Sequence, residues 1–348
     1  MKEAYTLHIR IKEISEEIKG FKTIEFEEGH GINYKAGQYL TFIHKQGREE
    51  VRRSYSISSS PEWNEPLSIG VKRIENGLFS RVLVDKAKPG HLLKTIGSGG
   101  LFTLPEESES FQQLFLFAAG SGITPIYSIL KTALQLYPDK SVVLVYSNAS
   151  PDKAVFLDSL QEIQQMFHDR FHLELLFSNS PDLLKARLHR ELILHLLKEL
   201  TSPEKSKTLF YICGPESYMR LCIYTLQETG IPSSVIKKEN FIIHNVQKRD
   251  ALPPDKSEYT AHLRIRDKEY YFPVKYPESI LKAAQKDGIV LPYSCEAGRC
   301  GNCVAVCTKG TVWHSYNEVL TERELQKGMV LTCVGHPVGG DIELRIDL

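Results

Sequence analysis

Cys295, Cys300, Cys303 and Cys333 stand in the spacing C-x4-C-x2-C followed by one distant cysteine. The first three thiols share the loop PYSCEAGRCGNC, where Gly298 and Gly301 let the backbone curl around a small anionic cluster. The fourth, in MVLTCVGHP, would close the cage from a separate strand. This is the ligand spacing of a plant-type [2Fe–2S] centre. Structural zinc draws on two close Cys or Cys/His pairs, and here the second pair is missing. A disulfide framework fits less well still, because it needs no such clustering.

Three weaker patterns carry residues suited to nucleotides and flavins. Gly120-Ser121-Gly122-Ile123-Thr124-Pro125 lies between an apolar strand and a helical stretch. Small residues there let a pyrophosphate approach the N–H groups of a helix start. It is not a G-x-G-x-x-G, and a glycine turn alone does not define a site. Arg53-Ser54-Tyr55-Ser56 ends a strand. Its guanidinium can clamp a diphosphate, its ring can stack on a planar ring, and a hydroxyl can reach a ring nitrogen. An ordinary half-buried strand would explain the same four residues. Gly77 and Ser80, in GLFSRVL, open a short helix and by themselves describe no more than an N-cap.

The elements that must position these residues fall into three blocks. TLHIRIKEI, GQYLTFIHK, RSYSISSS and LSIGVKRI read as short strands between glycine-containing turns, the pattern of a small antiparallel β-barrel. After PEESES the pattern changes to strands alternating with helices, ending in TLFYICGP and the helix ESYMRLCIYTLQETG, which Gly230 and Pro232 stop. That alternation implies a parallel sheet covered on both faces. QKRDALPPDKS, residues 247–257, reads as a linker, and YTAHLRIRDKEYYFPV as a hairpin ahead of a helix and the cysteine loop. The expected domains are residues 1–106, 107–246 and 258–348.

A chain of 348 residues is long enough for two or three cores. Its net charge is zero, so nothing calls for a nucleic-acid or membrane-surface partner. The most apolar run, Leu114 to Leu130, is broken by Gly120, Gly122 and Pro125 and is too polar for a membrane span. The amino-terminal segment lacks the apolar core of a signal peptide. Seven cysteines, four of them clustered, suit a reducing cytoplasm. Cys222 and Cys307 read as core residues, and the twelve histidines form no H-E-x-x-H.

With these motifs in this order, the whole chain resembles a ferredoxin–NADP reductase-type oxidoreductase with a C-terminal plant-type ferredoxin domain. It is most similar to the reductase components of multicomponent oxygenases, among them phenylacetyl-CoA epoxidase reductases and related hydroxylase reductases. The resemblance implies a flavin β-barrel, an α/β parallel-sheet nucleotide domain and an α+β β-grasp ferredoxin domain, with FAD, NAD(P)H and a [2Fe–2S] cluster. It implies that Arg53 contacts flavin phosphate, Tyr55 and Ser56 the ring, and Gly77 and Ser80 the pyrophosphate. Gly120, Gly122, Thr124 and Pro125 match the nicotinamide-nucleotide turn. Cys213-Gly214-Pro215 match the motif whose cysteine lies beside the nicotinamide, although a packed strand thiol is the plain alternative. Glu239-Asn240-Phe241 resembles the segment that ends the reductase core by the flavin. Ser56, Cys213 and Glu239 are thus the candidate catalytic residues.

One departure bears on the coenzyme. Where relatives carry a basic residue after the second strand of the nucleotide domain, this chain reads Ser147-Asn148-Ala149, with no acidic residue at the strand tip. Lys153 or Arg187 would have to supply charge from elsewhere, so NADH and NADPH both stay open. The expected partner is an oxygenase or hydroxylase component docking on the cluster loop, with Glu296 and Arg299 exposed. A stand-alone reductase with another acceptor uses the same residues. A redox-sensing interaction protein would show no turnover with a pyridine nucleotide.

Overall fold

The computed structural model describes residues 6–46, 49–106, 110–201, 207–241 and 252–346. They form two compact units, Thr6–Asn240 and Phe241–Leu348. The first unit holds both the barrel and the parallel sheet.

The barrel strands are β1 (Leu7–Ile18), β2 (Phe21–Phe26), β3 (Tyr39–Gln46), β4 (Glu49–Ser56), β5 (Ser68–Lys72) and, after a helical turn α1 (Leu78–Arg81), β6 (Leu92–Gly99). They pair antiparallel in the order β4-β3-β6-β1-β2-β5. A bridge from Ile57 to Ile69 joins the two ends of that order and closes the barrel. Alternate residues such as Ile9 and Ile11, Leu40 and Phe42, and Ile69 and Val71 fill its interior, the period-2 pattern of a one-sided strand. The strands β2 and β6 lack a clean alternation and were not legible from the sequence.

The nucleotide module runs β7 (Gln113–Ala119), α2 (Ile123–Leu136), β8 (Ser141–Asn148), α3 (Leu157–Met166), β9 (Phe171–Phe177), α4 (Leu183–Ala186), α5 (Arg190–Leu200), β10 (Thr208–Cys213), α6 (Glu216–Glu228) and β11 (Ile236–Glu239). Its five strands are all parallel, in the order β11-β10-β7-β8-β9. All seven residues of β7 are buried, as a strand covered on both faces requires. Helix α6 ends at Gly230, which takes φ +82° and returns its N–H to the Gln227 carbonyl at 3.0 Å.

The second unit carries β12 (Tyr259–Ile265), β13 (Lys268–Val274), α7 (Ile280–Lys286), β14 (Val304–His314), α8 (Glu322–Gln326), β15 (Met329–Leu331) and β16 (Gly335–Ile346). The sheet order is β13-β12-β16-β14-β15, with β12 and β16 parallel and the other pairs antiparallel. Helix α7 packs Ile280, Leu281 and Ala284 into the same core as Leu263 and Leu344. That is the β-grasp arrangement. Of the expected linker, residues 247–251 lie outside the described residues. Asp255 is tied to the second unit, accepting from the Ser257 N–H at 2.8 Å and the Gly339 N–H at 3.1 Å.

Candidate functional site

Sheet order sets the first part of the site. Because β10 lies beside β7, the turns after the two strands meet at the carboxyl edge, the crevice where parallel sheets bind ligands. Gly120 takes φ +54°. A Cβ on Gly122 would fall 2.3 Å from the Cys213 carbonyl oxygen and 2.8 Å from the Gly214 nitrogen. A Cβ on Gly214 would in turn meet the Ala119 side chain at 2.9 Å. The two turns are therefore in backbone contact, and only glycine fits at that crossing. Tyr146 O–H donates to the Gly120 carbonyl and Tyr218 O–H to the Ala118 carbonyl, at 3.3 and 3.2 Å. These two tyrosines brace the end of β7 and the turn after it and were missed in the sequence; a phenol at position 146 of an otherwise apolar strand is the signal that could have marked one of them.

Cys213 is fully buried. Burial, with the Glu239 carboxylate adding to it, pushes its thiol well above the ordinary value, so it stays protonated at neutral pH. Glu239 is its register partner on β11. Pro125 is buried in the first turn of α2. Thr124 donates to the Ser121 carbonyl at 3.0 Å, and a Cβ on Gly70 of β5 would meet its side chain at 2.7 Å. Thr124 thus joins the nucleotide turn to the barrel. Pro215 precedes α6. Phe241 is exposed and begins the second unit.

On the barrel, Arg53 and Tyr55 are alternate residues of β4 and share one face, with Ser54 and Ser56 on the other. Arg53 is exposed, its guanidinium resting on the Arg52 carbonyl at 2.7 Å. Ser54 Oγ pairs with Thr41 Oγ1 at 2.9 Å, and Ser56 is buried. Burial raises the Tyr55 phenol, and the Arg53 charge opposes that rise. Phe79, in the turn after Gly77, lies 6.0 Å from the Tyr55 ring and 4.9 Å from His44 in a stack. Ser80 is buried, and its Oγ accepts from the Ile74 N–H at 3.3 Å. A Cβ on Gly77 would fall 2.2 Å from that oxygen. The R-x-Y-S strand and the G-x-x-S turn are one packed surface, and its exposed guanidinium, half-buried phenol and side-chain-free turn fit an FAD.

Barrel and nucleotide module are fastened along one face of α2. Ser60 Oγ pairs with Thr132 Oγ1 at 2.7 Å, Ser128 Oγ donates to the Ser59 carbonyl, and the Trp63 indole donates to the Lys131 carbonyl at 2.8 Å. The Lys131 side chain is only 3% exposed, ion-paired to Glu65 and lying 4.3 Å from the Tyr127 ring centre. Removing one partner of a buried pair strands the other charge. Glu65→Gln is expected to cost about 3 kcal/mol, or roughly 6–12 °C in the melting temperature of a unit this size. Scanning calorimetry checks it, and Lys131→Met added to Glu65→Gln should recover most of the loss.

The four clustered thiols complete the set. Gly298 and Gly301 take φ +70° and +71°, as the curled loop requires. The thiols associate two and two, Cys295 with Cys300 and Cys303 with Cys333. The hydrogen bond from Cys300 lowers Cys295, and the bond from Cys333 lowers Cys303. The partner thiols are raised correspondingly. Backbone N–H groups of Ala297, Arg299 and Cys300 point at the Cys295 sulfur, that of Asn302 at Cys300 and that of Gly298 at Cys333. Such a nest favours anionic sulfur. Among the described residues no three Cys, His, Asp or Glu side chains form a single-ion site. Four thiols brought together in this way would hold a two-iron cluster.

Arg299 departs from expectation. Its side chain is 13% exposed and sits 3.0 Å from Glu318, so it is not part of an open docking face. Glu296 is exposed and ion-paired to Lys282 at 2.5 Å. Cys222 is buried in the core, whereas Cys307 is half-buried, its thiol turned to the Lys309 carbonyl at 3.2 Å. No helix among the described residues is long and apolar enough to cross a membrane.

Comparison with known proteins gives each part a counterpart. Residues 7–104 match the oxidoreductase FAD-binding domain, 116–223 the oxidoreductase NAD-binding domain and 263–338 the 2Fe–2S iron–sulfur cluster binding domain. The chain is an oxidoreductase that joins FAD, a nicotinamide nucleotide and a [2Fe–2S] cluster. It is 30% identical to a subunit of the 1,2-phenylacetyl-CoA epoxidase of Escherichia coli (strain K12), over 98% of both chains. It is 28% identical to the ferredoxin reductase component of 3-ketosteroid-9-alpha-monooxygenase of Mycolicibacterium smegmatis, over 99% of this chain and 98% of that one. Phthalate dioxygenase reductase shares the fold, with a TM-score of 0.58 and 23% identity over 98% of each chain. The chain belongs to the family of FAD-, NAD- and 2Fe–2S-containing reductases in which these oxygenase reductase components fall.

Proposed function

We propose that this reductase draws on NADH and delivers its electrons to the oxygenase component of a multicomponent system, phenylacetyl-CoA epoxidase being the relative that most directly suggests the substrate. The observation that carries the delivery role is the two-by-two convergence of Cys295, Cys300, Cys303 and Cys333 with backbone N–H groups aimed at their sulfurs. When bound, the flavin and cluster supply conversion of a hydride donor into single-electron delivery.

The protein's own residues bind and orient. Arg53 holds flavin phosphate by charge, Tyr55 covers a ring face, Ser56 offers a hydroxyl to the ring, and Gly77 and Ser80 form the pyrophosphate turn. Gly120 and Gly122 admit the nicotinamide nucleotide to the crevice edge, with Thr124 and Pro125 fixing the turn against the barrel. Cys213 presents a neutral thiol in a dry setting, Gly214 and Pro215 shape the wall, and Glu239 places a carboxylate next to it. Phe241 remains a flavin-contact candidate by resemblance. Hydride transfer between stacked rings depends on this positioning more than on acid–base chemistry.

The preference for NADH follows from the tip of β8. Ala149 is exposed, and the next turn presents Asp152, which accepts from Ser150 Oγ at 2.5 Å and pairs with Lys153 at 3.2 Å. Ala149 offers no cation to a 2′-phosphate, and Asp152 occupies the Lys153 ammonium that could otherwise reach it. NADH should therefore have the higher kcat/KM, and Ala149→Arg should raise kcat/KM for NADPH about tenfold, the worth of one charge-assisted hydrogen bond. Steady-state ferricyanide reduction with both coenzymes checks this. The delivery role is tested by anaerobic reduction with NADH, followed by low-temperature EPR. A reduced two-iron signal supports it; bleached flavin without that signal, in protein containing iron and sulfide, overturns it.

A further inference from the structure

The loop that carries three of the proposed ligands also carries a largely covered ion pair. Arg299 precedes Cys300, and its backbone N–H points at the Cys295 sulfur. Its side chain turns inward to Glu318, Nε to Oε2 at 3.0 Å, with the two side chains 13% and 15% exposed. Tyr316 completes the arrangement: its O–H donates to Glu318 at 2.8 Å and its ring lies 5.5 Å from the guanidinium. The same segment grips the loop backbone. The Glu318 N–H donates to the Gly298 carbonyl at 3.1 Å, and a Cβ on Gly298 would fall 2.7 Å from the Tyr316 carbonyl oxygen. Opposite charges are thus fixed on the segment that carries the loop thiols and on the segment that grips it.

We propose that the Arg299–Glu318 pair sets the reduction potential of the [2Fe–2S] cluster by balancing charge beside it. The pair is neutral as a unit, so the cluster feels each member fully only when the other is lost. Net charge near a cluster is one of the protein's main means of moving its potential. The inference rests on the four-thiol ligand assignment. Both residues act as positioning and charge-setting groups and touch no substrate.

The test is a mediated redox titration of the full-length holoprotein, read by EPR, with iron and sulfide assayed in each variant. Arg299→Gln leaves Glu318 uncompensated and should lower the potential. Glu318→Gln leaves Arg299 uncompensated and should raise it. Each shift is expected to be about tenfold in the one-electron reduction equilibrium, or 59 mV. Arg299→Lys keeps the charge and should stay close to the wild-type value. A clamp that acts by shape alone predicts shifts of the same sign, or none, and either result overturns the proposal. If Arg299→Gln fails to retain iron, the sign of the Glu318→Gln shift decides alone; if neither retains it, the pair is a structural clamp and the proposal falls. Wild-type protein without iron and sulfide would instead end the ligand assignment itself.

Discussion

Cys333→Ala is expected to abolish electron delivery while leaving the flavin half of the protein intact. Cys333 is the proposed ligand outside the loop, held by two strands of the second unit: Thr332 donates N–H and O–H to the Cys303 carbonyl at 3.1 and 3.0 Å, and His314 Nε2 accepts from the Leu331 N–H at 2.9 Å. Removing it breaks the Cys303–Cys333 pair and would leave three thiols to hold the cluster. Loss of an outer-shell partner alone costs 10–100-fold in affinity or activity, so loss of a ligand should cost roughly 100-fold or more. Reduction of cytochrome c or of the oxygenase partner should fall by that factor, with iron and sulfide content falling in parallel. Ferricyanide reduction should stay within about twofold, because the FAD crevice belongs to the other compact unit. Equal loss of both activities would show that the thiols hold the whole protein together rather than a separate relay.

The contrast between those units explains what the sequence could and could not disclose. The cysteine spacing, the strand–helix alternation and the barrel turns are local patterns, and each has its counterpart in the sheets. Contacts that join distant segments left little local trace. Arg299 sits in a glycine-rich polar loop and reads as exposed; its partner is nineteen residues on and reaches it only because Glu318 hydrogen-bonds Gly298. Lys131 looks like the solvent edge of an amphipathic helix, yet it is buried because the barrel presents Trp63 and Glu65 to that face. Asp152 escaped notice because it lies in the turn after the β8 tip, not on it. In each case tertiary packing decides burial, and a period of 3.6 or 2 carries no information about which segment supplies the cover. The same limit hid Tyr146 and Tyr218, whose ring packing is ordinary and whose hydroxyls matter only where they meet the carbonyls of Gly120 and Ala118.

Gly122→Ala is expected to be the most damaging single methyl group in the reductase unit. The added carbon would lie 2.3 Å from the Cys213 carbonyl oxygen and 2.5 Å from its carbon, and both contacts are backbone, so no side chain can rotate away. The turn after β7 and the end of β10 must separate, and with them the two walls of the proposed nicotinamide crevice. Overpacking of this kind costs typically 1–3 kcal/mol, and a displacement near 1 Å at a reacting geometry costs about 100-fold in rate. The expected result is a fall of about 100-fold in kcat/KM for NADH in ferricyanide reduction. FAD content should change little, because Arg53, Tyr55 and Gly77 lie on the barrel. Dithionite should still develop the full EPR signal of the cluster, since the cysteine loop belongs to the other unit. Gly120→Ala separates conformation from space. That position has φ +54° but nothing within 4 Å of a new Cβ, so its cost is the left-handed backbone alone, about 1–2 kcal/mol. A larger defect at Gly122 than at Gly120 would locate the constraint in the crossing of the two turns; the reverse order would locate it in the turn's own conformation and remove Cys213–Gly214 from the account of the crevice.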